Sequence, residues 1–157
     1  ETGGELEQRL ALLGAEALVE VISDPAAHPP WPQPEEGATY ADRLSREDAR
    51  IDFAQPAVEL GRQVLALSPR LPVTVADGDG RIRLRLLRAR PVAATAEAAP
   101  GTLIAIDAAG LRLATGDGCL EILEAQLVSG KGSILAAADL ANAVSARIST
   151  GARLDAV

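Results

Sequence analysis

Five arginines lie in the ten-residue segment RIRLRLLRAR, at positions 81–90. Their type and spacing make them the clearest candidates for binding a ligand. If this segment is a β-strand, Arg81, Arg83 and Arg85 share one face, because successive side chains alternate between the two faces of a sheet. The double leucine that follows changes the phase, so a bulge there would return the last two arginines to the same face. Guanidinium groups offer planar forks of donors that suit phosphate. The pattern fits two interpretations equally, a phosphate-binding strand or an arginine-rich exterior that keeps a barrel soluble.

The sequence provides no other set of residues that could catalyse a reaction. His28 lies in a proline-rich stretch without neighbouring ligands, and Cys119 has no second thiol for a disulfide or a metal site. Two of the three carboxylates of Glu47, Asp48 and Asp52 could pair for acid–base chemistry, but a run of charges is more often a solvated face. The Gly-Asp-Gly segment at 116–118 opens a strand rather than a helix, which indicates a hairpin turn and not a phosphate loop. We therefore predict no catalytic residue, no metal and no cofactor in this chain.

Composition and charge limit the class of protein further. The chain has 157 residues, 48% of them hydrophobic and only 2% aromatic, so its core must consist of aliphatic side chains. No apolar run is long enough to cross a membrane and no signal peptide is visible, which predicts a cytoplasmic protein without a membrane partner. Residues 1–60 carry thirteen acidic and four basic side chains, whereas residues 61–157 carry nine and eleven. Only the second part has a charge balance compatible with a polyanion.

The elements that must position the arginines can be predicted from hydrophobic periodicity. Residues 3–22 have a helical apolar stripe behind a capping-box pair, Thr2 and Glu5. No partner for that stripe lies nearby in the sequence. Because the chain also lacks methionine, we expect it to be a piece of a longer protein whose amino-terminal part covers the stripe.

Beyond this helix the sequence predicts an extended linker and then a compact domain. Five of the ten prolines fall within residues 24–37, and nine charged side chains follow within 33–53. Residues 57–67 show a short amphipathic helix that starts after Pro56. From there the period changes to two, with turns at Asp-Gly and Ala-Gly, and a last helix is expected within 135–148. The expected fold class is α+β, with five or six strands in a small antiparallel barrel or sandwich.

Several motifs together resemble the carboxyl-terminal half of the methionyl-tRNA formyltransferase family. They are GATYADRLSREDARIDFAQPAVELGRQV, LSPRLP, APGTLIA, LRLATGDGCLEILEAQ and SGKG. The resemblance extends from about Thr2 to Leu154. The chain departs from the family in its SPRLPVTV turn, in the single lysine of the SGKG loop, and at Ala54, where a serine commonly caps the short helix.

The resemblance implies a division of the chain and a role for it. Residues 1–23 would be the final helix of a Rossmann-like catalytic domain, residues 24–54 an interdomain linker held by Tyr40 and Phe53, and residues 55–157 an OB-fold-like domain that binds tRNA. The catalytic domain would bind the co-substrate 10-formyltetrahydrofolate and carry the catalytic residues, none of which has a counterpart here. The partners implied are initiator tRNA and that catalytic domain. The phosphate contacts that we predict are Arg81, Arg83, Arg85 and Lys131, with Arg43 and Arg46 of the linker as weaker candidates.

Two alternatives remain open from the sequence. A related formyltransferase that acts on a sugar nucleotide or another small amine could have a similar barrel that binds no RNA. A stand-alone interaction domain could have kept the barrel without an enzyme.

Overall fold

A computed structural model describes residues 1–94, 97–128 and 132–157, which form three α-helices and seven β-strands. The helices are α1 (Gly3–Ser23), α2 (Ala57–Leu67) and α3 (Ala137–Ser145). The strands are β1 (Thr74–Asp77), β2 (Arg83–Val92), β3 (Leu103–Asp107), β4 (Gly110–Ala114), β5 (Cys119–Leu127), β6 (Ile134–Ala136) and β7 (Leu154–Ala156). None of the helices described is long and apolar enough to cross a membrane.

Helix α1 begins at the predicted capping box. The Glu5 amide donates to Thr2 Oγ1 at 3.2 Å, and the Thr2 amide donates to Glu5 Oε2 at 2.8 Å, so two otherwise unpaired amides are satisfied. No residue of α1 is buried. Its large apolar side chains are exposed, so the contacts within this chain do not cover the apolar stripe. They include Leu6, Leu10, Leu13, Leu18 and Ile22.

The linker is exposed along most of its length and becomes anchored only near its end. Phe53 is buried, as predicted, and so is Ile51. The prediction that Tyr40 also holds the linker is wrong for the contacts within this chain, because its side chain is 97% exposed. A single 3₁₀ turn at Glu47–Ala49 leads into the anchored part. Gln63 of α2 fixes that part, since its Nε2 donates to Asp48 O and Arg50 O at 2.8 and 2.9 Å.

The strands form one antiparallel sheet in the order β3-β4-β5-β2-β1-β7, with β6 paired to the far end of β5. The fold class is therefore α+β with an antiparallel sheet, as predicted, and it has seven strands instead of five or six. Sequence periodicity missed β6 and β7 because each has only three residues. Helix α2 buries Leu60, Val64 and Leu67 and packs on β2, and α3 packs on β3, β4 and β5.

The pairing of β2 with β5 is irregular where the double leucine lies. Register shifts occur between Leu86 and Arg88 and between Arg88 and Ala89. The buried side chains of β2 are Leu84, Leu86, Leu87 and Ala89. The positions that face the core therefore switch from even to odd numbers between the two leucines. This confirms the predicted bulge, which keeps the arginines on both sides of it outside the core.

Candidate functional site

A groove of about 980 Å³ opens between the end of the linker, the loop from α2 to β1, and the outer face of β2. Among the residues described, five arginines and one carboxylate line it. The arginines are Arg46, Arg50, Arg70, Arg83 and Arg85, and the carboxylate is Glu47. Apolar groups such as Leu87, Leu71 and Ile134 complete the lining. Arginines thus converge on one concave surface of a chain whose net charge is −7.

The wall formed by β2 follows from strand alternation. Leu84 and Leu86 are completely buried, which forces Arg83 and Arg85 outward on the opposite face. Arg85 Nη1 donates to Gln126 Oε1 on the neighbouring strand at 3.1 Å. The same amide side chain donates from Nε2 to Gly132 O at 2.5 Å. Gln126 therefore joins Arg85 to the chain that leads into β6.

The end of the linker forms a second wall of the groove, and contacts around the 3₁₀ turn position it. Asp48 Oδ2 accepts from the Ser45 amide at 2.6 Å and from the Ser45 hydroxyl at 2.9 Å. These bonds, the amide first, lower the pKa of the Asp48 carboxyl. Arg50 precedes the buried Ile51, and its carbonyl is held by Gln63. These contacts hold the backbone that carries Arg46 and Arg50 at the edge of the groove, although both side chains are exposed.

Arg70 reaches the groove from the loop after α2. Its Nη2 lies 2.7 Å from Glu7 Oε1 of helix α1. Its charge is therefore shared with a carboxylate outside the groove lining. Within the part of the chain that the structure describes, no carboxylate forms an ion pair with Arg46 or Arg83.

Two of the predicted phosphate contacts, Arg81 and Arg43, do not fall in this lining. Arg81 lies at the turn between β1 and β2, where it pairs with Asp77 and Asp79. Although burial alone raises the pKa of the Asp77 carboxyl, the Ile82 amide and the Arg81 guanidinium lower it by more. Arg43 is exposed in the linker. Lys131 lies outside the residues described.

The second half of β2 has a different charge environment. Arg88 pairs with Glu5 of α1 and with Glu124, and Arg90 pairs with Glu121 at 2.6 Å. Glu121 is 2% exposed and also accepts from Arg112 at 2.9 Å. Its pKa is lowered chiefly by Arg112 and next by Arg90. These arginines are therefore neutralised by carboxylates, and only the first half of β2 presents arginine to the groove.

Neither a nucleophile nor a metal centre accompanies the groove in the described part of the chain. Cys119 is buried, its Sγ lies 3.1 Å from Ala94 O, and burial raises the pKa of its thiol. No group of three or more His, Cys, Asp and Glu side chains among the described residues is arranged to hold a metal ion.

Sequence reasoning missed Arg50 and Arg70. A usable signal existed for Arg50, because the alternation Arg50-Ile51-Asp52-Phe53 places the two apolar side chains inward and Arg50 outward. No comparable periodicity surrounds Arg70, which lies in a proline-flanked loop. Its place in the groove depends on how α2 packs on β2, and that packing is non-local.

The sheet and groove together define a small α+β domain that presents a cationic surface of arginines and contains no catalytic set among its described residues. The chain belongs to the formyl transferase C-terminal domain family, whose pattern matches residues 43–144.

Similar proteins agree with this assignment. The chain is 42% identical over 149 residues to a methionyl-tRNA formyltransferase of Xanthomonas campestris pv. campestris (strain 8004), with 91% of this chain and 46% of the relative covered. It is 44% identical over 159 residues to the methionyl-tRNA formyltransferase of Chromohalobacter salexigens, with 98% and 48% covered. The chain thus spans about half the length of the curated relatives it matches.

A solved structure shares the fold. HypX from Aquifex aeolicus, crystallised in complex with tetrahydrofolic acid, superposes with a TM-score of 0.56 over 77% of this chain and 21% of HypX. A variant of the same protein superposes with a TM-score of 0.61 over 86% of this chain and 24% of that chain. Sequence identity is 19% and 17%, so these likenesses concern the fold alone.

Proposed function

We propose that this chain is the carboxyl-terminal part of a methionyl-tRNA formyltransferase and that it positions initiator tRNA for the reaction. The parent enzyme would transfer a formyl group from 10-formyltetrahydrofolate to the methionyl amino group, in the cytoplasm. The family match and the identity to two enzymes of that name support this proposal. The co-substrate and the catalytic residues belong to the part of the enzyme that precedes this chain.

The observation that carries the proposal is the convergence of arginines in the groove. Five guanidiniums and one carboxylate line a concave surface, and phosphate oxygens are the ligands that guanidinium forks fit best. Such contacts fix the position and orientation of a nucleic acid without reading its sequence. The contribution to catalysis would be orientation, because the amine of a large substrate must be held close to the formyl carbon.

The domain assignment extends this proposal. Residues 55–157 would form the tRNA-binding domain, residues 24–54 the linker, and residues 1–23 the last helix of the catalytic domain. The exposed apolar face of α1 supports this division, since a helix with such a face normally packs against another surface. The tRNA contacts would come from Arg83, Arg85, Arg46, Arg50 and Arg70 of the groove, with Arg81, Arg43 and Lys131 as further candidates.

We also infer that the sheet is a closed barrel of the OB-fold type. The two ends of the sheet order, β3 and β7, approach each other through backbone hydrogen bonds. The Leu103 amide donates to Ala152 O at 2.8 Å, and the Leu154 amide donates to Gly101 O at 2.9 Å. A barrel closed in this way leaves neither β3 nor β7 as a free edge on which a second chain could add.

Binding of initiator tRNA at several salt concentrations tests the proposal. Arg83→Glu combined with Arg85→Glu removes two phosphate-binding side chains and adds two repulsive charges. We expect affinity to fall roughly tenfold or more, and the log–log salt slope to decrease by about one unit for each phosphate that is no longer neutralised. Arg62→Glu combined with Arg147→Glu makes the same charge change outside the groove lining and should have a much smaller effect.

Equal reductions in affinity in the two double variants would contradict the proposal that the groove binds tRNA. If no variant and no wild-type chain binds tRNA, the alternative of a barrel that serves a small-amine or sugar-nucleotide formyltransferase gains support.

A further inference from the structure

Arg70 takes part in two contacts, one with the groove and one with helix α1. It lines the arginine groove, and it also pairs with Glu7 of α1, with 2.7 Å between Nη2 and Oε1. Arg88 also connects α1 to the sheet domain, through Glu5, but Arg88 does not line the groove. Of these two connections, only the one through Arg70 links helix α1 to the groove.

The first turn of α1 is fixed directly beside the loop that carries Arg70. The Gly4 amide donates to Ser68 O at 3.0 Å. A Cβ added at Gly3 would lie 2.1 Å from Ala66 O, and one added at Gly4 would lie 2.6 Å from Pro69 Cδ. Only glycine fits so close to the Ala66 carbonyl and to the Pro69 ring. Arg70 therefore follows directly after a tightly packed contact between α1 and the domain.

We propose that Arg70 couples occupancy of the groove to the docking of α1, because Glu7 and an RNA phosphate compete for its guanidinium. This inference rests on the proposed tRNA function of the groove. The Arg70–Glu7 pair is exposed, at 78% and 60% of the two side chains, so its release has a small free-energy cost. A phosphate bound at Arg70 repels the neighbouring Glu7 carboxylate even where the guanidinium touches both.

Thermodynamic linkage makes the effect reciprocal. If Glu7 lowers the affinity of the groove for RNA, then bound RNA loosens the attachment of Glu7 by the same factor. Since α1 would be the last helix of the catalytic domain, occupancy of the groove would be communicated to that domain directly through the Arg70–Glu7 contact.

Glu7→Gln tests the competition, with Glu16→Gln as the matched control. Both variants remove one negative charge from the same helix, but Glu16 lies about two and a half turns further along. We expect Glu7→Gln to raise the affinity of the chain for initiator tRNA by roughly two- to fivefold, the range of an exposed ion pair, and Glu16→Gln to change it little.

The Arg70→Ala background separates competition from a general charge effect. In that background Glu7→Gln should no longer raise affinity, because the side chain for which the two anions compete is absent. A second readout is hydrogen exchange at the Gly4 amide, which should become faster when tRNA is bound to the wild-type chain and unaffected in Arg70→Ala.

The possible failures are distinguishable. Equal effects of Glu7→Gln and Glu16→Gln, or an effect of Glu7→Gln that persists in Arg70→Ala, would overturn the coupling while leaving the tRNA function intact. Absence of tRNA binding by every variant would overturn both proposals.

Discussion

Helix α1 and the linker differ from the sheet domain in burial, although both regions are rich in leucine. In residues 1–50, all of which the structure describes, Thr2 is the one buried residue. In the sheet domain, Leu84, Leu103 and Leu113 are completely buried. Composition alone therefore does not make a core, because leucine stabilises only where another surface covers it. The contrast shows that the sheet domain, together with Ile51 and Phe53, buries its own apolar side chains, whereas the contacts within this chain leave those of α1 exposed.

The largest difference between the two regions is expected when one leucine in each is truncated to alanine. Leu113→Ala leaves a cavity at a side chain that is 0% exposed, and it should lower the free energy of unfolding by about 2–5 kcal/mol. Leu13→Ala alters a side chain that is 52% exposed, so its effect should stay within about 0.5 kcal/mol. Chemical denaturation of both variants measures the difference. Comparable losses of stability would mean that α1 is as well covered in solution as the sheet.

Limited proteolysis compares the two regions along the backbone. We expect a protease of broad specificity to cut first between Asp24 and Tyr40, where side chains are exposed and backbone hydrogen bonds are few and local. A fragment from the charged part of the linker to the carboxyl terminus should resist. Mass spectrometry of the early products identifies the sites. Early cleavage within residues 82–124 would contradict the account of a compact sheet.

The smallest expected effect concerns the contact between Glu5 of α1 and Arg88 of the sheet domain. The Thr2 amide first, and then Arg88, lower the pKa of the Glu5 carboxyl from 4.5 to about 2. Because the folded-state pKa lies below the unfolded value, the stabilisation is fully present above pH 4.5 and is lost as the pH falls towards 2. Titration of the Glu5 side chain by NMR should show this low pKa, and Arg88→Gln should raise it. A Glu5 pKa of 4.5 in the wild-type chain would show that α1 is not capped and docked as described.

The elements that sequence predicted well are those whose signals are local. The capping box of α1, the period of α2 and the alternation of β2 each depend on residues within a few positions of one another. Local reasoning gives no account of Tyr40, whose role in holding the linker was implied by the family resemblance, because an aromatic side chain in a charged linker gives no sign of which surface covers it. It also failed to anticipate that Glu121 is buried, since strand alternation places Glu121 outside while Arg90 and Arg112 cover it there.

The candidate site could be predicted only in part for the same reason. Arg83 and Arg85 were identified from alternation, and Arg46 from the linker motif. Arg50 and Arg70 meet them only because the linker end and α2 pack on the sheet, which brings together residues far apart in sequence. The groove therefore depends on tertiary packing, whereas the outward direction of Arg50, Arg83 and Arg85 follows from local alternation.

The most direct test of the central claim places Arg83→Glu with Arg85→Glu in the full-length enzyme and measures steady-state formylation of charged initiator tRNA. If the groove positions the tRNA, the Michaelis constant for tRNA should rise by roughly tenfold or more, as expected when phosphate-binding side chains are removed, while that for 10-formyltetrahydrofolate stays unchanged. An unchanged Michaelis constant for tRNA, with the same salt dependence as the wild type, would contradict the claim and leave these arginines as a solubilising exterior.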